Sequence, residues 1–490
     1  MDEHNVALPT NNWFEANERS SSSWECPEFK ISGVFSSHMV LQREKPIKIW
    51  GFSTHVGSKV AGCFMGETAI AVVGDNNRFE LRFSARPECA EPQIMVISDE
   101  FDHTVTFDDI LVGDVWIIGG QSNAELHLAP CFSLTPSVEF DEGDNFRLFY
   151  QHGSTGMTLG KEDNSRQKDV IKSEWTWQLP TKKNSMSFSA IGWYFAKELI
   201  KHISTPIGIV MMAAGGACLR ELMPADLANS LGYEKGANTR LGGVFDTLIN
   251  PIIPLSFKAQ IFFQGESEGC WFDCANRYET DLQKFFEDER ARFGQHFPIY
   301  NVQLSEYGEN APKFFPALDI VRIKQFKALS LIEDMTLTVD MDLGFTEGRD
   351  WAHSPRKLEL AERLARLVLA KEYGIGKIQD AVSPRPLYAK LSNEMNEIII
   401  DFTDVGNGLI VKGQDPRYSI GLTVGGFSVG NYENRTPAEA TITSRGQVIV
   451  KVPEGADTST VNYCFSINVY PELYNGNNLP CPAFSIPVLK

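Results

Sequence analysis

The sequence predicts an α/β protein, an open and mainly parallel sheet covered by helices, with a β-domain at each end of the chain. Three observations predict it. Between residues 111 and 380 short apolar runs alternate with longer helical patterns, the grammar that builds parallel sheets. Outside that region the apolar runs are short and separated by turn residues, without helical partners. The polar, glycine-rich clusters of the middle region each follow an apolar run, and the crevice of an open α/β sheet lies outside the carboxyl ends of its strands.

A chain of 490 residues is too long for one ordinary core, so several domains are expected. Residues 1–25 are polar and serine-rich and predict a flexible arm. Over 26–110, "KPIKIWGF", "SKVAGCFM", "TAIAVV", "RFELRF", "PQIMVISD" and "HTVTF" predict a small antiparallel β-domain, with "AIAVV" and "RFELRF" paired as a hairpin about "GDNN". Over 111–380, "VWIIGG", "IGIVMMAAGG", "AQIFFQ", "PIYNVQLS" and "MTLTVD" read as strands. "SAIGWYFAKELIKHI", "RYETDLQKFFEDERARFG" and "SPRKLELAERLARLVLAKEYG" read as helices. Over 381–490, "NEIIIDF", "GLIVKG", "GQVIVKVP" and "VNYCFSINVY" predict a C-terminal β-domain.

Composition narrows the partners. A formal net charge of −18 repels phosphate backbones and anionic lipid surfaces, so neither nucleic acid nor a membrane is an expected partner. The N-terminal stretch is acidic and lacks the apolar core of a signal peptide, which predicts a cytoplasmic protein. Nine scattered cysteines read as reduced thiols. Cys270 and Cys274 are four apart but have no second ligand pair, so no metal and no cofactor is expected. "NRT" at Asn434 reads as a chance match to a glycosylation acceptor.

The strand-end clusters allow acyl transfer. "GGQSN" presents Ser122, and "GRDWAHSPRK" holds Asp350 and His353 three apart in one loop. A serine hydroxyl attacks an ester only when an imidazole takes its proton, and that imidazole needs a carboxylate to orient it. Asp342 and Glu347 are the next candidates for the acid. His127, five residues past the serine, is expected to turn away from it. For the oxyanion the chain offers the Ser122 and Gly215 backbone N–H groups and the Gln264 side-chain amide. Each cluster alone also reads as a turn or a cap, "QGES" included, where Glu266 and Ser267 would bond helix N–H groups. It is their joint placement at strand ends that points to a serine hydrolase.

"GQSNAE", "AAGGA", "FFQGESE" and "DWAHSPRK" together resemble the four blocks of SGNH-type (GDSL-like) esterases, in particular the sialate O-acetylesterase family. The flanks "HMVLQREKPIKIWGF", "DDILVGDVWIIGGQSN" and "ELYNGNNLPCPAFSIP" share the likeness, which runs from about residue 30 to the end. The resemblance implies a three-layer α/β/α (flavodoxin-like) catalytic domain with flanking β-domains and hydrolysis of O-acetyl esters on sugars without a metal. It makes Ser122 the nucleophile, His353 the base and Asp350 the orienting acid, with Gly215 and Gln264 at the oxyanion and Glu266 a rival of Gln264. Asn123, Arg220 and Glu266 become candidates for substrate contact, and Asn123 is also expected to pin the turn after the strand through side-chain hydrogen bonds. Arg220 has two readings, a surface residue bonding Glu221 or a nearby carbonyl, or a cation that reaches the crevice and pairs with a substrate carboxylate. Ala124, Ala217, Arg220, Leu222 and Ser354 depart from the family pattern; Arg220 and Leu222 predict a reshaped pocket, and Ala124 marks a further point where it differs. Acetylated xylan or mannan fragments are the alternative substrates, and a carbohydrate-binding protein without activity is the alternative of another class.

Overall fold

The structure is a computed structural model that describes residues 26–135, 137–150, 176–233, 241–308, 311–344, 352–392, 396–413, 423–443 and 446–490. The arm expected over 1–25 lies outside them.

Seven strands form the central sheet: β1 (Thr104–Gly120), β2 (Phe146–Tyr150), β3 (Thr176–Gln178), β4 (Ile207–Ala213), β5 (Ala259–Phe263), β6 (Ile299–Gln303) and β7 (Met335–Val339). Their order is β3-β2-β4-β1-β5-β6-β7. Only β3 runs antiparallel to its neighbour. With the edge pair β2 and β3 set aside, the remaining five follow the order second, first, third, fourth, fifth, which is the flavodoxin-like order. The chain therefore changes direction across the sheet at β1, and a crevice opens at the carboxyl end of that strand. β4 and β5 are buried along their whole length. A sheet covered on both faces requires such continuous apolar runs instead of alternation.

Five helices matter to the site. α1 (Ser122–Glu125) follows β1 at once. α2 (Ala190–Leu199), capped by the Ser189 hydroxyl accepting from Gly192 N, packs with α5 (Lys357–Glu372) on one face, where Phe195 meets Trp116 edge to face at 5.0 Å. α3 (Phe272–Phe293) and α4 (Leu318–Ala328) cover the other, where Phe262 meets Phe285 and Phe286. Gly294 ends α3 in the left-handed region, φ 64°, where a residue without Cβ is unstrained.

The N-terminal strands form two sheets. β1 is 17 residues long and belongs to both the N-terminal region and the central sheet. Its first half pairs with Cys89–Asp99 and its second half with β4, so one strand runs through the boundary expected at 110. The expected hairpin is corrected. Glu67–Val72 pairs with Lys59–Phe64, whereas Arg78–Phe83 pairs with Ile47–Ser53 in the other sheet. The Gly74–Asn77 turn is tight, but its two strands diverge into opposite sheets because each finds its apolar partners there.

A nine-stranded sheet follows from Arg385 onward and is clamped to the central layers. Gln303 at the end of β6 donates to Ala483 O and accepts from Ala483 N, at 3.1 and 2.9 Å. The buried Arg322 of α4 donates to Ser466 O and Ile467 O. Ile323, Val339 and Met341 share one apolar cluster with the C-terminal strands.

Candidate active site

The turn after β1 is built for close approach. Gly120 has φ 131°, and a Cβ there would lie 2.0 Å from Phe263 O, so a side chain is excluded by both conformation and space. Gln121 then donates its backbone N–H to Phe263 O, and its side-chain oxygen accepts from Gln264 Nε2, Gly265 N and Ser267 N. These bonds stitch the end of β1 to the end of β5. Ser122 opens α1, half-buried at the crevice, in the first turn where helical N–H groups have no intrahelical acceptor.

Asn123 joins that turn to the histidine loop. Its Nδ2 donates to Glu266 Oε1 at 2.6 Å and to Ala352 O at 3.0 Å, and its Oδ1 accepts from Lys357 Nζ at 2.9 Å. Ala352 and Asn123 are 229 positions apart in sequence. The residue after the serine thus holds the residue before His353, and His353 is half-buried. Ser354, which stands where the family has proline, donates its hydroxyl to Leu343 O and ties the same loop to the end of β7. Asp350 and Glu347 lie outside the described residues.

Several expectations are corrected by what the side chains touch. Asn123 is 1% exposed with both amide atoms engaged inside, so it is a brace and not a substrate contact. Glu266 is buried as well, and its Oε1 accepts from Asn123 and from Tyr307 OH, which turns the side chain toward the interior. Gln264 is wholly buried. Its Nε2 donates to Glu268, Ala217 O and Gln121 while its Oε1 accepts from Tyr278 OH, which leaves no amide proton for the oxyanion. Asp342 is occupied by Arg363, two bonds of 2.7 and 2.6 Å, and by Tyr474 OH. Those bonds give Asp342 a structural role of its own, tying α5 to the C-terminal strands.

Arg220 forms no side-chain hydrogen bond to Glu221 among the described residues. Glu221 accepts instead from Cys218 N, and the Arg220 guanidinium lies over the Trp271 ring at 5.1 Å and near Tyr233 at 6.0 Å. Trp271 itself is 47% exposed. The Ser267 hydroxyl donates to Gly216 O. His127 packs edge-on against Tyr150 at 6.4 Å, and burial lowers its pKa.

Two residues that the sequence reading passed over belong to the site. Lys357 is fully buried and bonds Asn123; its place three residues after Ser354 in "SPRK" was visible, but a lysine at a helix start reads as exposed. Glu125 accepts from Gly215 N at 2.6 Å, and burial pushes its carboxyl up to about 7. The Gly215 amide named for the oxyanion is therefore bonded to a carboxyl group.

A serine at the switch point of a parallel sheet in flavodoxin-like order, held against a histidine loop, defines an SGNH-type α/β/α protein. The chain belongs to the family described as carbohydrate esterase, sialic acid-specific acetylesterase, whose model matches residues 112–370. Human sialate O-acetylesterase is 23% identical over 312 residues, 56% of this chain and 57% of that protein. The rat sialate O-acetylesterase is 25% identical over 342 residues, 57% of this chain and 60% of that one. The match thus spans less than two thirds of these relatives' length. A carbohydrate acetylesterase from Xanthomonas citri has the same fold, with a TM-score of 0.78, 24% identity, and coverage of 94% of this chain and 99% of that one.

Proposed function

We propose that this chain is a serine carbohydrate O-acetylesterase that removes acetyl groups from sugar hydroxyls, with O-acetylated sialate as its substrate. The Asn123 bridge carries the reading, because it brings the Ser122 turn and the His353 loop to one crevice from opposite ends of the central domain. In the proposed reaction Ser122 Oγ attacks the ester carbonyl while His353, oriented by Asp350, takes its proton. The C–O bond to the sugar breaks and His353 returns the proton to the departing alcohol. Water activated by His353 then releases acetate from acetyl-Ser122. The Ser122 N–H, in the first turn of α1, supplies an oxyanion donor.

The sialate reading is supported by Arg220 on the exposed Trp271. A sugar acid offers a ring to stack and a carboxylate to pair, whereas a xylan or mannan fragment offers only the ring. Fluorophosphonate labelling of the wild type, lost in Ser122→Ala, and acetate release from O-acetylated sialate above that from acetylated xylan are the expected results. Arg220→Ala is expected to weaken the sialate reaction selectively. An equal loss on both substrates removes the carboxylate role, and a folded wild type that takes no label makes the protein a glycan binder without hydrolysis.

A further inference from the structure

Glu125 is the group in the crevice that the mechanism above leaves unused. A Cβ placed on Gly215 would sit 3.2 Å from Glu125 Oε2 and 3.7 Å from Ser122 Cβ, so carboxyl, glycine and nucleophile share one small space. An amide has a single proton, and Gly215 already directs it to Glu125 at 2.6 Å. A substrate oxyanion forming beside Ser122 would meet that same carboxyl group. Were it ionised, two negative charges would face each other in a half-buried pocket, and the transition state would be raised.

We infer that Glu125 is a further catalytic residue of the acetylesterase, a neutral carboxylic acid whose carbonyl oxygen holds the Gly215 N–H and whose O–H donates to the oxyanion. The hydrogen bond strengthens as charge develops, and no proton changes hands. The inference rests on the acetylesterase reading of the site.

The surroundings keep the acid neutral. Burial raises its pKa to about 7, against the Gly215 hydrogen bond that lowers it, and no charged side chain among the described residues contributes. β4 and β5 have no titratable residue, and of the aspartates of β1 the one nearest its carboxyl end, Asp114, is bonded to Arg43 and Tyr373. Those of α2 are engaged elsewhere, Tyr194 with Thr135, Lys197 with Asp144 and Glu198 with Lys201. The Tyr150 phenol at the end of β2 faces Glu125 and is itself raised by burial and by that carboxyl, with His127 beyond it. A buried carboxylic acid kept neutral near pH 7 can serve as an oxyanion donor.

The test is the pH profile of kcat/KM on p-nitrophenyl acetate for the full chain and for Glu125→Gln and Glu125→Ala, with fluorophosphonate labelling to count intact Ser122. The wild type is expected to lose kcat/KM as pH rises through about 7. Glu125→Gln keeps a carbonyl for Gly215 and an N–H for the oxyanion, so it loses the alkaline decline and remains well above Glu125→Ala. The latter falls about 100-fold, the usual effect of losing one oxyanion donor. An active wild type whose alkaline decline persists in Glu125→Gln, or equal loss in both variants, overturns this inference alone. A wild type that takes no label and releases no acetate overturns the acetylesterase reading with it.

Discussion

Lys357 Nζ donates to Asn123 Oδ1 at 2.9 Å, joining the first residue of α5 to the second residue of α1 at a point that solvent does not reach. The same ammonium faces Asp340 at the end of β7, whose carboxyl burial pushes up to about 6 while Lys357 draws it down. A buried charge that loses its counter-charge costs about 3 to 5 kcal/mol. Lys357→Met is therefore expected to lower unfolding stability by about 3 kcal/mol in urea, and a change below about 1 kcal/mol would contradict a counter-charge role for Lys357.

Asn123→Ala removes the brace without removing a group that meets substrate. Displacement of reacting groups by about 1 Å costs on the order of 100-fold in rate. The expected outcome is a fall of that size in kcat with KM changed less than threefold. A dominant rise in KM would return Asn123 to the substrate-contacting residues.

Asp342→Asn separates a structural acid from a catalytic one. Asp342 holds Arg363 and, through Tyr474, the C-terminal sheet. The variant is expected to lose about 3 kcal/mol of stability while Ser122 still takes fluorophosphonate at the wild-type rate. Lost labelling in a folded variant would make Asp342 the acid that orients His353.

Stability should fall as pH rises across neutrality. Burial pushes the carboxyls of Glu125 and Glu268 up to about 7 and that of Glu289 up to about 8, against an ordinary 4.5. Between these limits the folded chain binds more protons than the unfolded one, so the stability present below pH 4.5 is lost as pH rises through 7 and 8. Calorimetry is expected to give a lower Tm at about pH 8.5 than at about pH 5.5. Glu289→Gln should raise the alkaline value more than the acidic one. A Tm independent of pH would show that these carboxyls titrate as they do in the unfolded chain.

Much of this architecture was legible in one dimension because it follows from local rules. α2 begins at Ser189, whose hydroxyl caps it, and α3 ends at Gly294 in the left-handed region. β4 and β5 read as unbroken apolar runs because both faces of their sheet are covered. The hairpin about Gly74–Asn77 was misread because a turn specifies a reversal but not the sheet into which each strand goes. Gln264 was misassigned for a related reason: its position after β5 fits a crevice donor, but three acceptors behind the strand end take its amide.

The sequence by itself determined the strand-end placement of Ser122 and its glycine turn, since backbone conformation and apolar periodicity are written in neighbouring residues. The motif resemblance also named His353 as the expected partner of Ser122. Only the tertiary structure decided which polar side chains face the crevice and which are braces beneath it. Asn123, Glu266 and Gln264 turn inward, and Glu125 reaches Gly215. The physical reason is that a buried polar group must find hydrogen-bond partners wherever the fold supplies them, and those partners come from segments far apart in the chain.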